Sequence, residues 1–264
     1  MTNSDSSNVL ELEDIGRSYG SLAALTGVSF SVSRGSRHAV IGPNGAGKST
    51  LFNLIGGVEK PTAGAIRLDA RDITRWSPQR RSRAGIAKTF QHSSLFTTLT
   101  IEENVSIAVH CHQRSGSRFL RSTHSYANVL GRVTESLERV GLKRDRSMRA
   151  GDLSHGECRQ LELALALCMQ PQLLMFDEPV AGMSPAETSG FVHLIESLSE
   201  DVTILLVEHD LDVVLRLADT ITVLDAGRVI ADGPPAQVTS SPAVRSAYLG
   251  TAFGATHTSG GDSA

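Results

Sequence analysis

Short apolar runs separated by stretches of helical period set the rhythm of this chain. The runs at residues 37–41, 86–90, 173–176, 202–207 and 221–224 are apolar and β-branched, as in strands buried on both faces. Between several of them the spacing turns helical. Cys158, Leu161, Leu165 and Cys168, for example, are spaced to share one helix face. The alternation predicts an α/β fold with a mostly parallel sheet. Two regions break the rhythm. Extra strand-like runs at 28–32 and 65–68 predict an added antiparallel β edge. Residues 92–151 carry no strand pattern and predict an inserted helical lobe, drawn at about 92–165. Within it, residues 110–125 are rich in Ser, Arg and His and read as a loop. Residues 1–8 read as a flexible N-terminus, 9–250 as the folded domain, and 251–264, rich in Gly, Ser and Thr, as a disordered tail.

Composition narrows the classes. The 264 residues are enough for one large domain or a domain with a lobe. A net charge of −3 speaks against a life on nucleic-acid phosphates, so no nucleic acid is expected as a partner. Cys111, Cys158 and Cys168 are scattered, with neither a disulfide framework nor zinc-ligand spacing, and read as small apolar residues in a reducing compartment. The first residues are polar, and no run approaches the ~20 apolar residues of a membrane span. The expectation is a soluble, cytosolic chain whose link to a membrane runs through partners.

The strongest chemical signal is Gly42-Pro43-Asn44-Gly45-Ala46-Gly47-Lys48-Ser49-Thr50. It fits G-x-x-x-x-G-K-[ST], follows an apolar run and precedes a helical pattern. The glycines let the backbone wrap closely around phosphates, so that amide groups and a helix N-terminus face the anion. Lys48 supplies a point charge for the β- and γ-phosphates, and the Ser49 hydroxyl is placed to ligate Mg²⁺. The rival reading, a glycine-rich turn with an incidental lysine, does not explain the strand–loop–helix context.

A second apolar run ends in two acids, Asp177 and Glu178. A buried strand would deliver Asp177 to the carboxyl edge of the sheet, where the phosphate loop is also expected. There Asp177 can hold the metal and Glu178 can polarise an attacking water. A strand merely ending in a polar turn is the alternative, and the phosphate loop earlier in the chain argues against it.

Upstream, Leu153-Ser154-His155-Gly156-Glu157 precedes a helical stretch. Ser154 and Glu157 form an S-x-x-E capping box, an ordinary helix start. The segment also resembles the LSGGQ signature of the ABC ATPases, and the order of motifs follows that family. The resemblance covers residues 9–250. It implies a RecA-like P-loop core with an inserted helical subdomain, an antiparallel β edge, ATP and Mg²⁺ as cofactors, and ATP hydrolysis. By the same resemblance Tyr19 is the aromatic that stacks on adenine. Gln91 is the Q-loop glutamine that meets Mg²⁺ or the attacking water, and His209 is the switch histidine at the γ-phosphate. Ser154 and Gly156 close over the nucleotide of a second subunit. The departures are His155 and Glu157 within the signature and Ser184 where the family carries its D-loop aspartate. Ser184-Pro185-Ala186-Glu187 is itself a capping box with proline at the first helical position. The aspartate's loss bears on signalling across the dimer and removes no group needed for chemistry on the loop's own side.

The text around Thr89-Phe90-Gln91, residues 99–105 and 177–185, and the terminal Ala247-Tyr248-Leu249-Gly250 resembles the branched-chain amino-acid uptake ATPases, a pattern shared with urea and short-amide importers. This implies integral membrane permeases, a second ABC ATPase subunit in a homo- or heterodimer, and indirectly an extracytoplasmic solute-binding protein. It places the chain at the cytoplasmic face of the cell membrane. A soluble non-transport ABC ATPase would carry two cores or a long heptad insert, and neither is visible. Glu178 and His209 speak against a non-catalytic nucleotide-binding scaffold.

Overall fold

A computed structural model describes residues 8–89, 95–113, 124–199 and 201–252. Gln91 lies outside them, as do most of the residues read as flexible termini. In chain order the elements are strands β1 (Asn8–Tyr19), β2 (Leu22–Ser33) and β3 (Arg37–Ile41), helix α1 (Lys48–Gly56), strands β4 (Ala63–Leu68) and β5 (Arg71–Asp72), helix α2 (Pro78–Arg83), strand β6 (Ile86–Lys88), helices α3 (Ile101–Gln113), α4 (His124–Arg139) and α5 (His155–Leu167), strand β7 (Leu173–Asp177), helix α6 (Pro185–Glu196), strand β8 (Thr203–Val207), helix α7 (Leu211–Leu217), strands β9 (Thr220–Asp225) and β10 (Arg228–Gly233), and helices α8 (Pro235–Ser240) and α9 (Pro242–Ala252). They divide into two bodies: described residues up to Arg75 with those from Leu205 onward, and Trp76–Ile204.

In the first body β3, β8 and β9 realise three of the apolar runs. The strand order is β10-β9-β3-β8, with β3 parallel to β9 and Ala39 opposite Ile221. Ala39, Val40, Leu205, Ile221 and Val223 are fully or almost fully buried. β10 runs antiparallel to β9 at the end of this strand order, a pairing that the sequence pattern did not predict. Its apolar stretch is only Val229-Ile230-Ala231, and none of its residues is fully covered. The extra strand-like runs form a sheet of their own, antiparallel in the order β2-β1-β4-β5. One of its two inner strands, β1, is hidden from pattern reading. Leu10, Leu12 and Ile15 are all buried, but the register shifts between Leu12 and Ile15, where Asp14 takes φ 50°. An irregularity there breaks the two-residue alternation.

In the second body β6 and β7 pair in parallel, Ile86 opposite Leu173. Helices α3, α4 and α5 pack on one another, and α5 touches α6. The segment read as a loop at 110–125 is helical at both ends, since α3 runs to Gln113 and α4 begins at His124. Val105 and Val109 keep the buried face of α3 in register over that turn, and this outweighs the polar composition further on. Cys168 is buried, which pushes its thiol up to about 12, as fits a small core residue.

The start of α3 is pinned twice. Thr100 and Glu103 cap it reciprocally, the Glu103 carboxylate accepting from the Thr100 backbone N–H at 2.8 Å. Buried Asn104 then clasps the preceding segment. Its Oδ1 accepts from the Phe96 backbone N–H at 2.9 Å, and its Nδ2 donates to the carbonyls of Phe96 at 3.1 Å and Thr100 at 2.9 Å. Asn104→Ala strands these groups and should cost about 2–3 kcal/mol. Urea unfolding of the purified protein reads that loss, and an unchanged midpoint would show that water replaces the amide.

Candidate functional site

The first body carries Tyr19, the phosphate loop and His209. The second carries Asp177, Glu178, Ser154 and Gly156. Residues 42–47 link β3 to α1, as the motif requires, and the loop is held by backbone. Ala46 N–H donates to the Pro43 carbonyl at 3.1 Å, and the Ala46 carbonyl accepts from Gly227 N–H at 3.1 Å. Gly227 in turn accepts from Thr26 N–H at 2.8 Å. The β9–β10 turn, with Ala226 at φ 43° and Gly227 at φ 74°, thus braces the loop against β2. A Cβ on Gly47 (φ 103°) would stand 2.6 Å from Leu25 Cδ2 and 2.9 Å from the Ala24 carbonyl oxygen, so only glycine fits. Lys48, the first residue of α1, is 92 % buried, with its ammonium donating to the carbonyls of Gly42 at 2.7 Å and Pro43 at 3.0 Å. Asn44, Gly45 and Ser49 are exposed at the loop's surface, with Thr50 half-buried behind them. Burial pushes the Tyr248 phenol on α9 up to about 12, and the Gly42 backbone works in the opposite sense. The C-terminal helix therefore reaches the first residue of the loop.

His209 follows β8 and precedes α7. Its side chain is exposed, while that of the neighbouring Glu208 is fully buried and accepts from the His209 backbone N–H at 3.1 Å. Asp210 caps α7 by accepting from Asp212 N–H at 3.0 Å. The imidazole therefore projects from a turn pinned on both sides. Tyr19 ends β1 at a tight hairpin, its hydroxyl donating to Glu59.

In the second body Asp177 is the last residue of β7. Glu178 follows at φ 50°, a left-handed conformation that few non-glycine residues adopt. Its carbonyl accepts from Ala181 N–H at 3.1 Å, closing a turn. Lys88, on the adjacent strand β6, pairs with Asp177 at 3.3 Å. Sequence reasoning assigned no role to Lys88 or Glu208. The available signals were a lysine closing an otherwise apolar strand and an acid directly after a fully buried one.

Ser154 caps α5 and Ser184 caps α6, both in complete capping boxes. The two helix starts flank a cleft of about 240 Å³ lined by Ser154, Gly156, Glu157, Met183 and Glu187. The Ser184 backbone N–H and hydroxyl hold the Glu187 carboxyl below its usual range, and the Gly156 backbone and His155 add to the shift. Glu187 thereby ties the helix after Ser184 to the signature segment. Glu157, at the position of the signature glutamine, accepts from Arg144 Nε at 2.5 Å and from Ser154 N–H at 2.9 Å. Arg144 first, then Ser154, hold its carboxyl near 2.

A glycine loop closed by backbone and running into a helix, with a buried lysine, belongs to a P-loop nucleotide-binding protein. Asp177 and Glu178 at a strand end and a capped serine signature belong to an ATPase of the cassette type. The chain belongs to the ABC transporter family, whose family model matches residues 25–181, and it is an ATP-binding ATPase. A second model, described as branched-chain amino acid ATP-binding cassette transporter, matches residues 228–254. The chain is 38 % identical over 241 residues to the high-affinity branched-chain amino acid transport ATP-binding protein LivG of Salmonella typhimurium, covering 89 % of this chain and 94 % of the relative. Among solved structures it resembles the ADP conformation of an ABC transporter cassette, with TM-score 0.78, 32 % identity, and 92 % and 99 % of the two chains covered. It also resembles a dimeric bacterial ABC transporter cassette, with TM-score 0.72, 25 % identity, and 85 % and 98 % covered.

The depressed carboxyl of Glu157 gives a pH signature. Its folded value lies near 2, below the 4.5 of the free group, so the ionised form favours the fold. That contribution is complete above pH ~4.5 and fades as the pH falls toward 2. The stability gap between wild type and Glu157→Gln, read by urea unfolding from pH 7 downward, should narrow below pH ~4.5. A gap that is constant with pH would show that the box and Arg144 do not depend on the charge.

Proposed function

We propose that this chain is one ATPase subunit of an importer of branched-chain amino acids, working in a dimer on integral membrane permeases at the cytoplasmic face of the cell membrane. One observation carries the solute class: the match of residues 228–254 to the branched-chain model, a stretch that includes Tyr248 beside the phosphate loop. The name of the LivG relative supports it. Among the described residues no helix is long and apolar enough to cross a membrane, which suits attachment through permeases. An extracytoplasmic binding protein supplies the solute, and the second ATPase is a copy of this chain or a related one.

In this reading the loop at residues 42–50 binds the phosphates through backbone N–H groups, of which Pro43 has none, and through the Lys48 ammonium. Ser49 and Asp177 would hold Mg²⁺, and Gln91 would meet the ion or the attacking water. Among the described residues no group of three or more His, Cys, Asp or Glu could hold a metal unaided. That suits an ion held by one or two carboxylates with phosphate oxygens and water. When bound, Mg²⁺ neutralises phosphate charge. Glu178 orients and deprotonates the attacking water, and His209 meets the γ-phosphate. Ser154, exposed at a helix start, and the half-buried Gly156 face the partner's nucleotide, where the dipole favours an anion. ATP binds the closed dimer better than the open one and shifts that population. The dimeric relative supports this arrangement. The domain at 9–250 thus has a core for chemistry and a helical lobe at 92–165 that passes closure to the permeases.

Two experiments test the proposal. Glu178→Gln should keep ATP binding, lose at least about 10²-fold in turnover, and elute as a dimer in ATP. Retained turnover removes Glu178 from the base role. In vesicles carrying the full transporter, ATP-dependent uptake of labelled leucine or isoleucine is expected. Uptake of urea alone would move the chain to the amide importers, and outward pumping without a binding protein would refute import.

A further inference from the structure

Arg17 and Tyr19 stand two residues apart on β1 and therefore on the same face of that strand. The Arg17 guanidinium lies over the Tyr19 ring, 4.6 Å from its centroid. One terminal nitrogen of Arg17 pairs with Glu59 at 2.9 Å and the other terminal nitrogen donates to the Lys60 carbonyl at 2.9 Å. Glu59 also receives the Tyr19 hydroxyl on the oxygen that meets Arg17. Its other oxygen accepts from Asn53 Nδ2 at 3.4 Å, and its backbone N–H donates to the Asn53 carbonyl at 3.2 Å. Asn53 lies in α1, the helix that begins at Lys48. The ring is fixed at one face by a cation, at its hydroxyl by a carboxylate, and through that carboxylate to the helix of the phosphate loop. It remains 42 % exposed.

We propose that Arg17 and Glu59 are positioning residues that hold Tyr19 as a preset one-sided platform for the adenine base. Arg17 covers one face, so a base can stack only on the other. Glu59 stops the ring from turning and fixes its reach from the phosphate loop through Asn53. This rests on the reading of Tyr19 as the adenine-stacking aromatic. Sequence alone did not reveal it, because Glu59 is forty residues from Tyr19 in the chain. A preset ring loses little freedom when the base arrives, so the platform raises affinity for the base without touching it.

The test compares ATP with inorganic tripolyphosphate, which carries the phosphates but no base, on the full chain. Affinities are measured by calorimetry for wild type, Glu59→Gln, Arg17→Gln, Tyr19→Ala and the Tyr19→Ala/Glu59→Gln pair. Glu59→Gln and Arg17→Gln should each weaken ATP about three- to tenfold, the range of one aromatic contact, and leave tripolyphosphate unchanged. In the Tyr19→Ala background Glu59→Gln should add nothing. Equal weakening of both ligands would place Glu59 in support of α1 and overturn the proposal. A loss on Tyr19→Ala with none on Glu59→Gln or Arg17→Gln overturns it while leaving the stacking reading intact. No loss on Tyr19→Ala removes the stacking reading itself. All these side chains are at least partly exposed, and thermal melts of each variant establish that it is folded.

Discussion

A loop that offers its own amide groups to an anion cannot spend them on a sheet or helix, so something else must fix its shape. Here the Ala46 carbonyl is taken by Gly227, Gly227 by Thr26, and the space beside Gly47 is filled by Leu25 and Ala24. A hairpin turn and a strand of the antiparallel sheet thus hold residues 42–47. α1 can start at Lys48 only because Gly47 takes φ 103° with no side chain in the way.

The second body is organised around helix starts. The N-terminal N–H groups of a helix need acceptors, and Ser154 and Ser184 supply them with their acidic partners Glu157 and Glu187. Glu187 reaches further, to the backbone of Gly156, so the two starts form one unit around their cleft. This bears on the missing D-loop aspartate. The serine that replaces it joins a local network with the signature segment. Glu157 extends the network to Arg144, a link for which an uncharged glutamine would have no ion pair.

Strain and charge meet at the end of β7. Glu178 holds a left-handed backbone directly after the strand, which aims its side chain differently from a continuing strand. Asp177, one residue before, is balanced by Lys88 from the neighbouring strand. Two adjacent carboxylates are thereby given different surroundings, and this is the condition for different roles.

The sequence by itself determined the local parts. The strand–loop–helix at 37–56, the acids closing β7, the two capping boxes and the apolar strands β3, β6, β7, β8 and β9 are all set by neighbours within a few residues, and short-range pattern reports such elements faithfully. Tertiary structure decided the rest. β1 was hidden by its register shifts and β10 by its half-covered faces, because both are strands only by virtue of their partners. The Lys88–Asp177 pair, the Gly227 brace and the Arg17–Tyr19–Glu59 cluster join residues far apart in the chain. Periodicity carries no information about such contacts, since an interaction between distant residues acquires a fixed geometry only once the sheets have set their strand order and register.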